Sequence, residues 1–359
     1  MKVKFLKASN GDAIWITLID EESKPRNILI DGGIGSTYQS KDKKGKAVFG
    51  DLGHEIENLK KLNEVDCNHK IDLLILTHVD DDHIGGLLKW FEQDPSFSKL
   101  IGKIWFNSGR LISEYIHQKQ QDDFDIVLNI RDNNNTSIRQ GATFETYATT
   151  NQLWERRLIL QEQEHTVFGL TFRILSPSKD RVQLLLNKWK SEDQSLNTSK
   201  SNDYSKSIAD HIKDDQFLED DSVHNGSSIA FILTYGTKNF LFLADAHPSV
   251  IIEGLRHFGF DSTKRLTAEF VKVSHHGSKF NTSKELLKIL DSSVFIISSN
   301  GQIHNLPDKQ CLARIIGCCN NPKILFNYPE LTAKIFTKSD CDSNQFLVGE
   351  VSELNFNCD

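Results

Sequence analysis

No apolar run of roughly 18 residues, the length needed to cross a bilayer, occurs anywhere in this chain. The start, Met1-Lys2-Val3-Lys4-Phe5-Leu6, lacks the apolar stretch of a secretory signal. The expectation is a cytoplasmic protein with no membrane partner. The six cysteines (Cys67, Cys311, Cys318, Cys319, Cys341, Cys358) contain no Cys-x-x-Cys pair. They are read as free thiols in a reducing cytosol, not as a zinc ribbon or a disulfide framework. Basic charge is also short. Lys and Arg number 42 against 49 Asp and Glu, a net charge of −7, which argues against a broad phosphate-binding surface. Nucleic acid stays open as a partner, because a bound metal centre supplies local positive charge. No internal repeat is evident, which sets repeat architectures aside.

What remains is an ordinary globular composition, 38% hydrophobic and 25% charged over 359 residues. That length suits one large α/β domain with insertions, or two domains. The most informative segment is Leu76-Thr77-His78-Val79-Asp80-Asp81-Asp82-His83-Ile84-Gly85-Gly86. It follows the short branched run 71–76, which reads as a buried strand, and precedes the apolar stretch 84–91, which reads as a helix packing back. Imidazoles and carboxylates therefore leave a core strand in one tight loop. Hard carboxylate with borderline imidazole suits Zn²⁺, Mn²⁺ or Fe²⁺. Asp81 is expected to point to solvent.

Strands are predicted over 3–6, 13–18 and 27–31, the last running into Asp31-Gly32-Gly33. Residues 36–53 are read as a polar mobile loop and 54–62 as a helix. After a strand at 103–107, residues 110–222 are read as a helical, polar insertion, with 167–175 of strand character and a flexible stretch before 224. A hairpin is predicted from 228–235 and 239–244 around Gly236-Thr237, then a helix over 248–258 and a strand over 269–274 ending at His275-His276-Gly277. A helix over 283–290 and a strand over 294–299 ending near His304 follow. The tail, 309–359, is read as a helix and strands near 324–326, 333–336 and 346–350 that complete the second sheet. Two blocks of strands, each followed by helices, predict an αβ/βα sandwich of two mixed sheets, one domain over 1–359. Four strand ends deliver ligand-type residues: Asp31, the 78–83 loop, Asp245 and His275-His276. A fifth, less regular one delivers His304. His54, His69, His117, His165, His211 and His257 are read as surface or packing residues.

These pieces resemble the metallo-β-lactamase fold superfamily, and within it the branch containing the hydrolase domain of the ComEC DNA-uptake proteins. The resemblance rests on Asn10-Gly11-Asp12-Ala13, similar to that branch's GQGDA/S turn; Leu29-Ile30-Asp31-Gly32-Gly33; Thr77 to Gly86, similar to H-x-D-x-D-H-x-G-G; Asn225-Gly226-Ser227-Ser228; Leu241-Phe242-Leu243-Ala244-Asp245; and Val273-Ser274-His275-His276-Gly277-Ser278. It covers 1–90 and about 222–308. It implies two divalent metals, Zn²⁺ or Mn²⁺ with Fe²⁺ open. His78 and Asp80 would hold one. Asp82 and His83 would hold the other, with one of His275 and His276, the resemblance favouring His276. Asp245 would bridge both, and Asp31 would orient a ligand imidazole or the 78–83 loop. Asp80 stands where the superfamily usually has His, so the site is harder. Asn225 occupies a ComEC-like position. His224 beside it is read as a surface histidine, with a place among or behind the ligands as the alternative. His247 would back the ligands or cap the following helix. Ala244 replaces the usual Gly, a mild change.

The implied chemistry is attack by a metal-bridging hydroxide on phosphorus or a carbonyl. Asp80 or Asp82 would orient it, and His275 or His304 would face the substrate. Ser278 and Lys279 are read either as anion contacts or as a plain polar turn; Lys188 and Lys190 are read as a solvated helix face. The first reading is a phosphodiesterase or nuclease. The second is a hydrolase of a small anionic ester, phosphoester, lactone or amide. The third is a hydrolase subunit of a bacterial assembly, in the manner of anti-phage defence, activated by a protein partner.

Overall fold

Inward positions alternate along the first strands as a half-buried pleat requires. Val3 and Phe5, Ile14 and Ile16, and Ile28 and Ile30 share one core cluster, while Trp15 and Leu29 belong to another. The computed structural model describes residues 1–66, 68–117, 137–190, 202–343 and 345–358. Cys67 and parts of segment 110–222 lie outside the described residues. The smaller sheet contains β1 (Lys2–Phe5), β2 (Ile14–Ile19), β3 (Pro25–Ile30), β4 (Ile71–Ile75) and β5 (Ile101–Trp105). The larger contains β6 (Glu164–Val167), β7 (Leu170–Ser176), β8 (Ala230–Tyr235), β9 (Lys238–Phe242), β10 (Phe270–Lys272), β11 (Val294–Ile297), β12 (Lys323–Phe326) and β13 (Leu347–Glu350). The last strand, β14 (Glu353–Asn355), returns to the smaller sheet beside β1.

The order is β14-β1-β2-β3-β4-β5 in the six-stranded sheet and β13-β12-β11-β10-β9-β8-β7-β6 in the eight-stranded one. Both are mixed: β3, β4 and β5 run parallel, as do β9 through β13. The sheets meet through one apolar cluster that joins Ile28, Ile30, Leu73 and Ile75 of the first to Phe172, Phe231, Phe242 and Phe270 of the second. Each such side chain contributes about 1.5–3 kcal/mol by leaving water. Helices cover the outer faces, with Trp90 and Phe91 on one side and Ile251, Leu255, Leu312 and Ile315 on the other. This is the αβ/βα sandwich the strand pattern predicts. Among the described residues no helix is long and apolar enough to cross a membrane.

Several segments differ from expectation. Residues 36–53 form a helical turn, Gly35–Tyr38, and a hairpin of Gln39–Lys41 with Ala47–Phe49. Asp42 Oδ1 accepts from Lys44 N and Lys46 N at 2.8 and 2.9 Å, and Gly45 takes φ +78°. The polar residues thus build a turn. Of segment 333–336, the first three residues lie in a short helix, Thr332–Ile335, and Phe336 caps it, since a brief apolar run has no period that separates strand from helix. Within segment 110–222, β6 and β7 form the edge of the larger sheet, and β7 pairs with β8. Residues 203–215 are fastened by charge: Asp215 takes Arg314 Nη2 at 2.6 Å, and Asp203 takes Lys309 N at 2.8 Å.

Candidate metal centre

The carboxyl ends of parallel strands are where α/β sheets assemble sites, and here β3, β4, β9 and β10 deliver their polar residues to one place. Asp31 leaves β3 at φ +57°. Its Oδ1 accepts from Thr77 N at 2.8 Å, its Oδ2 accepts from Thr77 Oγ1 at 2.7 Å, and the same oxygen lies 2.8 Å from His83 Nδ1. Thr77 Oγ1 is in turn 3.2 Å from His78 Nδ1. One buried carboxylate therefore aims His83 directly and His78 through a hydroxyl. Helix Asp81–Gln93 begins at Asp80, and two glycines let the loop seat. A Cβ at Gly11 would lie 1.7 Å from Asp82 O, and one at Gly86 would lie 2.0 Å from Gly32 O.

Asp245 sits at the centre, 2% exposed. Its Oδ1 faces His83 Nε2 at 3.4 Å and His276 Nε2 at 3.7 Å. Its Oδ2 faces His78 Nε2 and His275 Nε2, each at 3.8 Å. Asp82 joins the Oδ1 side, 3.4 Å from His276 Nε2 and 4.0 Å from His83 Nε2. Asp80 joins the Oδ2 side, 3.8 Å from His78 Nε2. Both histidines of the 275–276 pair thus address Asp245, one on each oxygen. They do so because both take left-handed backbone, φ +45° and +54°, at a cost of about 1–3 kcal/mol each. Ala244 also has φ +45°, which for a residue with a Cβ strains the backbone by about 1–2 kcal/mol.

Each imidazole is backed at Nδ1. His276 Nδ1 meets Ser298 O at 3.0 Å and Asp12 Oδ1 at 3.5 Å. His275 Nδ1 meets Asn281 Oδ1 at 3.0 Å and Asp220 Oδ2 at 3.6 Å. Partners of this kind fix tautomer and ring direction at metal sites. Burial and His83 push the His78 imidazole down, keeping it neutral. Burial opposes charge on His83 and His276, but Asp245 and the neighbouring carboxylates overcome it and raise both. His275 is likewise raised against burial by Asp245 and Asp220, to about 10. Against its own burial, Asp245 is held well below the usual carboxylate range by His275, His276 and His83. The cluster is a field that attracts cations.

The donor set fits divalent ions. Among the described residues, His78 Nε2, His83 Nε2, His276 Nε2 and Asp245 Oδ1 are all buried with no hydrogen-bond partner, although buried polar atoms are otherwise almost always satisfied. Among the described residues, three groups of donors lie within 4.8 Å of one another: His78, His83 and Asp245; Asp82, His83 and His276; and Asp12, Asp245 and His276.

The structure brings together Asp31, His78, Asp80, Asp82, His83, Asp245, His275 and His276. His224 is 8% exposed, so the surface reading is overturned: its Nδ1 lies 2.8 Å from Asp80 Oδ1, held by the short helix Val223–Gly226. Asn225 Nδ2 donates to Asp220 Oδ2 at 2.7 Å and lies 3.3 Å from His275 Nδ1. His247 is fully buried at the start of helix Pro248–His257, makes no side-chain cap, and lies 3.7 Å from Asp220 Oδ2. His304 is exposed on the rim of a cleft of about 460 Å³ that opens onto Asp80, Asp82, Asp245 and His275. Lys188, Ser278, Lys279, Asp221 and Asp308 also line it, so Lys188 is not merely on a solvated face; the Lys190 side chain lies outside the described residues. Asp81 is exposed and accepts from Gln140 Nε2 at 2.6 Å. Asp12, Lys272, Asp220 and Asn281 were not singled out from sequence as site residues. Only Asp12 carried a local signal, inside the Asn10–Ala13 turn.

No protein-family model matches the chain, and no curated protein matches it. Solved structures align at low identity. A mutant of CmlA beta-hydroxylase aligns at 10% identity over 99% of this chain and 53% of that one, with a TM-score of 0.41. The chain thus spans about half the length of the hydroxylase. YhfI from Bacillus subtilis, described as a metallo-beta-lactamase fold protein, aligns at 11% identity over 99% of both chains, with a TM-score of 0.37. A protein of unknown function from Enterococcus faecalis aligns at 13% identity over 97% of this chain and 76% of that one, with a TM-score of 0.32. Likenesses this distant add no weight to the strand order and side-chain geometry described above.

Proposed function

We propose that this chain, as one metallo-β-lactamase-like domain, is a metal-dependent hydrolase holding two divalent ions, with phosphodiesters as its first substrate class. The observation that carries the reading is the set of bare, buried Nε2 atoms and carboxylate oxygens gathered on both oxygens of Asp245. His78, Asp80 and Asp245 Oδ2 would hold one ion. Asp82, His83, His276 and Asp245 Oδ1 would hold the other. Bound ions would polarise a substrate oxygen and acidify water. The mixed carboxylate and imidazole donors suit Mn²⁺ or Zn²⁺, with Fe²⁺ compatible.

The chain's own residues do the rest. Asp31 and Thr77 hold the imidazoles of His83 and His78 in place before substrate arrives, which lowers the reorganisation cost of the reaction. Asp82 orients the attacking water. His275, fixed at Nδ1 by Asn281, presents Nε2 toward the cleft and hands its proton to the leaving oxygen. His304, Lys188 and Lys279 stand on the cleft wall and contact the rest of an anionic substrate. Asp221 and Asp308 on the same wall disfavour a long polyanion. That favours a small phosphoester or ester over duplex nucleic acid as the second reading.

The test is elemental analysis of protein purified without chelator, together with hydrolysis of bis-p-nitrophenyl phosphate by wild type and Asp245→Ala. About two ions per chain, with hydrolysis lost in the variant, is the expected result. Two ions without hydrolysis would move the assignment to a carbonyl substrate or to a chain that needs a protein partner. No ion after supply of Mn²⁺ or Zn²⁺ would overturn the metal reading.

A further inference from the structure

Lys272 ends β10 with its side chain 1% exposed. Its Nζ donates to Asp12 Oδ2 at 2.8 Å and to Val273 O at 3.3 Å. Asp12 lies on the turn before β2 of the opposite sheet and is itself 3% exposed at its side chain. Burying two charges costs several kcal/mol per ion, and apolar residues of similar volume often match or exceed such a pair in stability. Stability alone therefore gives no reason for an ion pair here. What it touches does. Among the described residues Asp12 Oδ1 has no hydrogen-bond partner, and it lies 3.5 Å from His276 Nδ1. That nitrogen also faces Ser298 O at 3.0 Å, while Ser298 Oγ donates to Gly11 O at 3.0 Å. The turn that carries Asp12 and the strand end that orients His276 are thus tied to each other. The opposite ring nitrogen, Nε2, is left bare toward Asp82 and Asp245.

We propose that the Lys272–Asp12 pair is a positioning device for His276, and that through His276 it sets how tightly the buried side of the centre holds its ion. The proposal rests on the metal reading above. Lys272 anchors Asp12 Oδ2 and so leaves Oδ1 turned toward the imidazole. With Lys272 Nζ 2.8 Å from Oδ2 and the imidazole 3.5 Å from Oδ1, the carboxylate of Asp12 stands as an anion between a cation and the ring. A second fully buried pair gives the contrast. Lys309 Nζ donates to Asp340 Oδ2 at 2.7 Å, and Asp340 Oδ1 accepts from Ile208 N at 2.9 Å. That pair fastens the 202–215 segment: its side chains also bond Tyr204 O, Ile208 N and Thr337.

The experiment titrates metal-free protein with Mn²⁺ by calorimetry and records melting temperatures of the same samples. The variants are Lys272→Met, Asp12→Leu, the two combined, and Lys309→Met as a matched loss of a buried lysine. Either single change at the 12/272 pair leaves an unpaired buried charge and lowers the melting temperature. Combining them restores it toward wild type. The expected result is that the double variant, though stable again, binds the more tightly held Mn²⁺ roughly 10- to 100-fold more weakly, while Lys309→Met binds it as wild type does. A double variant with wild-type affinity, or an equal loss in Lys309→Met, would overturn the proposal. If the apolar variants do not fold, Asp12→Asn keeps the shape without the charge. A loss of about tenfold then supports the proposal, and unchanged affinity overturns it. A wild type that binds neither Mn²⁺ nor, in the same titration, Zn²⁺ overturns the metal reading and this inference together; unaffected variants of a chain that binds two ions overturn the inference alone.

Discussion

The two oxygens of Asp245 divide the centre into unlike halves. On the Oδ1 side, His83 and His276 are 0% and 2% exposed at their side chains, and buried aspartates, Asp31 and Asp12, stand behind them. On the Oδ2 side, His78 is buried, but Asp80 and His275 are 29% and 25% exposed and both line the cleft. The imidazoles of the first half are closed off by protein, and Asp82, 21% exposed, is where that half reaches the cleft. The second leaves a face to solvent and substrate, as catalytic metal positions do. The difference teaches where affinity and where chemistry would be spent: a rigid pocket that keeps its ion, next to an open one where the substrate oxygen arrives.

The hardest test of that division removes one carboxylate from each half. Asp82→Asn should cut the ions retained after dialysis from about two to about one per chain. It should weaken binding at the closed position at least a hundredfold, at or above the upper end for loss of an outer partner. Asp80→Asn should cost about tenfold in affinity on the open side and lower kcat more than KM, since the closed half is untouched. Elemental analysis after dialysis at fixed free Mn²⁺, with steady-state kinetics, reads both. Equal losses in the two variants would break the comparison.

Much of the ligand set, in both halves, was legible in the sequence because it is local. His78, Asp80, Asp82 and His83 lie within six residues at the end of an apolar strand, and Asp31 and Asp245 each end a run of alternating or continuous apolar residues. The residues that back them were not, since their contacts join distant parts of the chain. Lys272 and Asp12 are 260 positions apart. Asp220 lies in a segment with few apolar residues, where no period marks one aspartate from its neighbours, yet it takes Asn225, Asn281 and His275 as partners. His275 and His276 were posed as alternatives on the resemblance alone, which favoured His276. Two successive left-handed residues let both face Asp245. His224 looked like a surface residue because only tertiary structure brings it to Asp80, 144 positions away.

A gentler test compares the aspartates behind the ligands. Asp31→Asn disturbs the contact to His83 Nδ1, now 2.8 Å, and the Thr77 hydroxyl bond, so it should weaken metal binding roughly 10- to 100-fold. Asp220→Asn acts on His275 at 3.6 Å and still leaves Asn281 Oδ1 at 3.0 Å from that ring. It should therefore cost less affinity than Asp31→Asn, and show instead in kcat, with KM near wild type. Mn²⁺ titration separates the two. A larger affinity loss in Asp220→Asn than in Asp31→Asn would mean that the open half, not the closed one, holds the tighter ion.

The smallest effect is one of access. Carbethoxylation by diethyl pyrocarbonate needs an unprotonated, solvent-exposed imidazole nitrogen. Against burial, the carboxylates raise both histidines and slow both, and the two differ in exposure, 25% for His275 against 2% for His276. Modification of His276 requires the loop around it to open. An opening that costs about 1.4 kcal/mol slows the reaction about tenfold. Peptide mapping of metal-free protein over time should therefore find His275 modified first, by roughly that factor or more. Adding Mn²⁺ should slow both, but His275 less, because its face toward the cleft stays open. Equal rates at the two positions in the metal-free chain would show that the closed half opens as readily as the cleft. The burial of Oδ1 would then not account for any difference in how the two sides of Asp245 hold an ion.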